Sequence, residues 1–118
     1  MKVPFGGYIR KAREHLKASD RRFSIRQVAL RVGIEPAYLS KIERGEQPPP
    51  SKATIRKLAA ELGEDPDMLL ALAGKVSDDL QAIIRKRPQL FAQLIREIEQ
   101  MPDNALLRLV REVRDGDW

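Results

Sequence analysis

Cysteine is absent from this 118-residue chain, which excludes disulfides and thiolate metal sites. Histidine is nearly absent too. The single one, His15, stands beside Glu14 in a basic helical run, where a solvated surface histidine is the natural reading. There is no nucleophile constellation and no glycine loop that cradles phosphate, since Gly6 and Gly7 adjoin without making one. These absences point away from an enzyme and give no metal or cofactor a place. Apolar runs are far too short to span a bilayer and no signal peptide precedes the first charged helix, so the expected compartment is the cytoplasm. Aromatics are scarce, at one tryptophan, two tyrosines and three phenylalanines, and no long stretch alternates with period two. An aliphatic core of this kind suits an all-α fold.

What is present is most concentrated in residues 25–44, IRQVALRVGIEPAYLSKIER. Val28, Val32, Leu39 and Ile42 are spaced to face inward from two short helices, and Ala29 is small enough for the helices to approach closely. Gly33 falls where the intervening turn demands positive φ. Ser24 followed by Gln27 predicts a capping box at the start of the first helix. Pro36 suits the first turn of the second, where an amide hydrogen has no intrahelical partner, and Gly45 predicts a left-handed cap at its end. This is a helix-turn-helix pattern, whose second helix enters the major groove of DNA while the first braces it across the phosphates.

Four segments extend the pattern: YIRKAR at 8–13, SIRQVALRVGI at 24–34, YLSKIERGEQPPPS at 38–51 and IRKLAAELGEDPDMLL at 55–70. With these residues in this order, the chain resembles the phage-repressor and Cro-like helix-turn-helix (XRE) family of transcriptional regulators. The resemblance implies a five-helix lambda-repressor-like DNA-binding domain over residues 1–74, followed by a short C-terminal helical region over 75–118. Caps and apolar periodicity predict helices at 7–17, 25–32, 36–44, 52–62 and 66–73. Beyond Gly74, further helices are expected from a Ser77 cap to 86, from 88 to 100 and from 102 or 103 to 114. The PPP at 48–50 reads as a stiff spacer delivering Ser51 as the cap of the fourth helix.

The charge is divided along the chain. Residues 1–57 carry 14 Lys or Arg and 5 Asp or Glu, a net of +9, whereas residues 58–118 carry 8 and 12, a net of −4. The basic half holds the motif. Clustered cations bind phosphate by releasing condensed counterions, so double-stranded DNA is the expected partner.

The resemblance implies that positions at the start and on the exposed face of the second motif helix reach base edges. Here these are Glu35, Pro36, Ala37, Ser40 and Lys41. Pro36 donates no hydrogen bond. Ala37 suits a thymine methyl, Ser40 suits several bases and Lys41 suits the acceptors of guanine, so direct readout is sparse and Lys41 its most discriminating member. Each also reads as a solvated helix residue. Phosphate contacts are expected from Ser24, Arg26 and Gln27 at the start of the first motif helix, and from Arg44 and the loop to Gln47 on the far side. Tyr38 either bonds a phosphate through its hydroxyl or flanks the backbone. Ile25 departs from the family, many members of which carry glutamine there. The connection KASDRR at 17–22 is longer than in compact relatives, and its Arg21 and Arg22 read equally as phosphate contacts or as a mobile solvated loop. Arg13 and Glu43 match a pair that, in relatives, forms a structural ion bridge between the first and third helices.

In the C-terminal region Leu90, Phe91, Leu94, Ile95, Ile98 and Met101 form one apolar face, and Leu106, Leu109, Val110 and Val113 another. Three readings are open. The faces pack back on the first domain, bury themselves against a second copy to make a homodimer, or receive a different protein. The dimer is favoured, because a dimeric repressor reads two half-sites. An antitoxin-like or partner-regulated interaction protein, gripping its partner through 75–118, is the alternative function.

Overall fold

The computed structural model describes residues 4–116. The outermost ends of both expected regions, 1–3 and 117–118, lie outside the described residues. Among those described there are eight α-helices and no strand: α1 (Phe5–Lys17), α2 (Ile25–Val32), α3 (Pro36–Glu43), α4 (Lys52–Leu62), α5 (Pro66–Leu72), α6 (Asp78–Lys86), α7 (Pro88–Glu99) and α8 (Asp103–Asp115). They divide into two compact units at Ser77 and Asp78, three residues later than the expected boundary. No helix of the described residues is long and apolar enough to cross a membrane.

The first unit is built around thirteen buried apolar residues drawn from all five of its helices. Val28, Ala29, Val32, Leu39 and Ile42, the inward set of the motif, are each no more than 2% exposed. They meet Ile9 of α1, Ile55, Leu58 and Ala59 of α4, and Leu69 and Leu70 of α5. Each large aliphatic in such a close-packed site contributes on the order of 2 to 5 kcal/mol against alanine. Tyr8 adds a polar tie, its hydroxyl donating to Glu64 Oε2 at 2.9 Å. Hydrogen bonding to that carboxylate raises the phenol above its ordinary pKa.

Local chemistry sets the helix boundaries. The Ser24 side chain accepts from Gln27 N at 3.2 Å and Ser51 from Thr54 N at 3.3 Å, so α2 and α4 begin where the caps predict. The capping box at Ser24 is only half made. Its own amide donates to Arg21 O at 3.2 Å, which removes the donor that a reciprocal bond from Gln27 needs. Gly33 takes φ of 85°, the left-handed region, and lets the chain reverse between α2 and α3. Gly45, at φ 76°, closes α3 as a Schellman motif, with its amide on Ile42 O and the Glu46 amide on Lys41 O at 2.8 Å. Arg44 is therefore the cap of α3 and not its last residue.

Two departures have tertiary causes. Helix α1 starts at Phe5, two residues before the expected position, because Phe5 and Gly6 are both buried in the unit. A Cβ on Gly6 would run into the Ile42 carbonyl oxygen of α3, so only glycine permits this helix crossing. The connection at 17–22 is ordered in part as a 3-10 turn over Arg21–Phe23, capped by the Asp20 side chain. Arg22 holds that carboxylate from two nitrogens, and with the backbone N–H of Arg22 keeps it down to about 2.

In the second unit α6 packs on α7. No residue of α6, α7 or α8 is buried.

Candidate nucleic-acid interface

The candidate interface is the outward surface of α2 and α3 with the loop that follows. Glu35 is the N-cap position of α3 in extended conformation, without a side-chain capping bond, and Pro36 opens the helix. Glu35, Ala37 and Lys41 are exposed, as are Arg26 and Gln27 on α2 and Arg44 and Gln47 after α3. Ser24 is half-buried and committed to capping. Tyr38 is half-buried against the core, which leaves its ring a packing role at the flank of the surface. The expected contact residues at 24–27, 35–41, 44 and 47 thus lie on α2, α3 or their immediate flanks.

Two hydrogen bonds modify the expected roles. Arg44 Nη1 donates to Ser40 Oγ, and Arg44 Nη2 to Glu46 Oε2 at 2.8 Å. Ser40 accepts from Arg44 and retains its own hydroxyl hydrogen and a second lone pair. Glu46 is the feature that sequence reasoning missed. The Arg44 hydrogen bond and charge, with a smaller contribution from Lys41, hold its carboxyl below the ordinary range, and Glu46 in turn raises Arg44. An anion therefore stands at the rim of a cationic surface, paired with Arg44, one of the expected phosphate contacts. The pair is about half exposed, so it is a weak one.

A hollow of about 310 Å³ opens beside the motif, walled by Arg10, Arg13, Glu14 and Lys17 of α1, Ile25 of α2, and Ser40, Glu43 and Arg44 at the end of α3. Arg13 is 4% exposed and spends its guanidinium internally: Nε donates to Glu43 Oε2 at 2.7 Å, Nη2 to Oε1 at 2.9 Å and Nη1 to Phe23 O at 3.1 Å. This bidentate pair joins α1 to α3 and fixes the turn before α2. Arg10 and Lys17, three residues before and four after Arg13, stand at the rim; Arg10 Nε donates to Glu14 Oε1 at 3.1 Å, and Lys17 carries the positive surface beyond the motif. Their spacing was visible as one face of a helix, but that this face borders α3 is a tertiary fact. Arg31 likewise has a structural use, donating to Glu61 Oε2 at 2.6 Å and Arg22 O at 2.6 Å while lying 5.4 Å above the Phe23 ring. His15 is exposed in the last turn of α1.

Residues 4–72 match the helix-turn-helix domain family over more than half the chain, and the chain belongs to that family. Among individual proteins it is similar to a Bacillus subtilis (strain 168) protein described as the uncharacterized HTH-type transcriptional regulator RghRB, with 40% identity over 73 residues. That alignment covers 62% of this chain and 49% of the relative, so the chain spans about half the relative's length. No solved structure matches the chain.

Proposed function

We propose that the chain is a sequence-specific, double-stranded-DNA-binding transcriptional regulator, a dimeric repressor that inserts α3 into the major groove. The observation that carries this reading is the arrangement of α2, Gly33 and α3. It buries Val28, Ala29, Val32, Leu39 and Ile42 and leaves Glu35, Ala37 and Lys41 exposed at the start and along one face of α3, with Ser40 half-buried beside them and Arg26, Gln27, Arg44 and Gln47 exposed on the flanks. Such a helix fits the major groove, which is about 12 Å wide, and its flanking cations address the phosphates on either side. The family membership and the regulator likeness of the relative agree with it. Two copies are called for because a helix of eight residues reads only a few base pairs. The exposed apolar faces of the second unit supply a means of joining them.

Selection of bound duplexes from a random pool tests the reading. The expected product is a two-fold-symmetric consensus with half-site centres about 34 Å apart, one helical turn. A pool that never enriches rejects sequence-specific binding, and a lone asymmetric half-site rejects the dimer.

A further inference from the structure

We propose that α8 is the seam between two copies of this chain, paired antiparallel so that Asp103 of one faces the partner's Arg114. The inference rests on the two-copy reading above and adds which surface joins the copies and in what direction.

The second unit contributes no buried residue from any of its helices, so much of its apolar surface stays open. On α8, Leu107 is 61%, Val110 57% and Val113 57% exposed, large values for aliphatic side chains. Leu107 and Val110 belong to a single stripe. Asp103, Leu107, Val110 and Arg114 follow one another at spacings of four, three and four, which puts all four on one face of an α-helix. Ala105, Leu106 and Leu109 are half-buried and lie to one side of the stripe.

The stripe has an acid at one end, a base at the other and two apolar residues between them. That order decides the occupant and its direction. Two parallel copies would set Asp103 on Asp103 and Arg114 on Arg114, both repulsive. Two antiparallel copies related by a two-fold axis set Leu107 on the partner's Val110 at the centre and close both ends with opposite charges. An isologous interface requires such a self-complementary pattern, because every contact made by one copy is made in reverse by the other. The Arg114 link to its neighbour Asp115, at 3.1 Å with both side chains 65% exposed, is weak enough to exchange for the partner's carboxylate.

Sedimentation equilibrium of the full chain tests this with Asp103→Arg, Arg114→Asp and the double reversal. Each single change replaces two attractions by two repulsions, so the dimer dissociation constant rises by about tenfold. The double reversal restores opposite charges across the seam and returns association to near the wild-type value. Far-UV circular dichroism monitors α8 itself, since Asp103 also sits in its first turn, where an acid favours the helix. Because the chain has no cysteine, register is read independently: Leu107→Cys mixed with Val110→Cys yields the mixed disulfide in preference to either homodimer. Single reversals without effect on a dimeric protein overturn the seam and leave the two-copy reading standing. So do singles that weaken association without rescue by the double, or a preference for the Leu107→Cys homodimer. A wild-type chain that is monomeric throughout overturns both. Failure of the DNA reading shows separately, as the absence of any enriched duplex.

Discussion

Replacing Arg13 with alanine is expected to destabilise the first unit by about 3 to 5 kcal/mol, and Glu43→Ala to cost a similar amount. The reason is asymmetric. The two side chains are 5% and 3% exposed and meet through two hydrogen bonds, so each neutralises a charge that water cannot reach. Deleting one leaves the other ionised and unpaired in a site of low dielectric, which costs more than the pair itself contributes. Replacing both, as Arg13→Met with Glu43→Leu, removes the two desolvation penalties together and is expected to cost far less than the sum of the singles. A residue of cost remains because the Phe23 carbonyl loses the donor at Nη1. Urea unfolding of the full chain checks this cycle. In heat, a loss of 3 kcal/mol corresponds to a midpoint lowered by about 12 to 24 °C for a unit of this size. Single variants that each lose less than about 1 kcal/mol would show that the pair is solvated in solution.

The second large effect is on binding. For a dimer that neutralises about six to ten phosphates, affinity for duplex DNA is expected to fall by about 10³ to 10⁵ between 50 and 200 mM salt. The basis is the division of charge, with the surplus of cations in the half of the chain that carries α2 and α3. Arg44→Ala should flatten the dependence, because each copy then releases one counterion fewer. Fluorescence anisotropy titrations over that range measure the slope, and an affinity indifferent to salt would give the basic half another use.

Much of this fold was legible in the sequence because its signals are local. Ser24 and Ser51 mark helix starts through bonds made within three residues, Pro36 through its fixed φ and missing amide hydrogen, and Gly33 and Gly45 mark reversals through their own φ, so α2 and α4 fall at the expected residues. The motif core was legible for the same reason, since Val28, Val32, Leu39 and Ile42 obey one helical period. Gly6 was not, because its demand arises from the Ile42 carbonyl, thirty-six positions along the chain. Neither was the engagement of Arg44 by Ser40 and Glu46, which depends on how the Schellman turn brings Glu46 back toward α3. Apolar periodicity in α6, α7 and α8 announces that a face seeks cover without naming what covers it. For α8 the direction came from the charges at the ends of its stripe, read once its exposure was known.

The central claim is that α3 reads bases and that Lys41 is its most discriminating reader. Equilibrium binding of the wild type and Lys41→Ala to the preferred duplex and to each of its single-base-pair variants tests it most directly. The account predicts that the variant loses its preference at one base pair in each half-site, by about 1 to 3 kcal/mol, and keeps the rest. Equal weakening on every duplex would contradict it and place Lys41 on a phosphate.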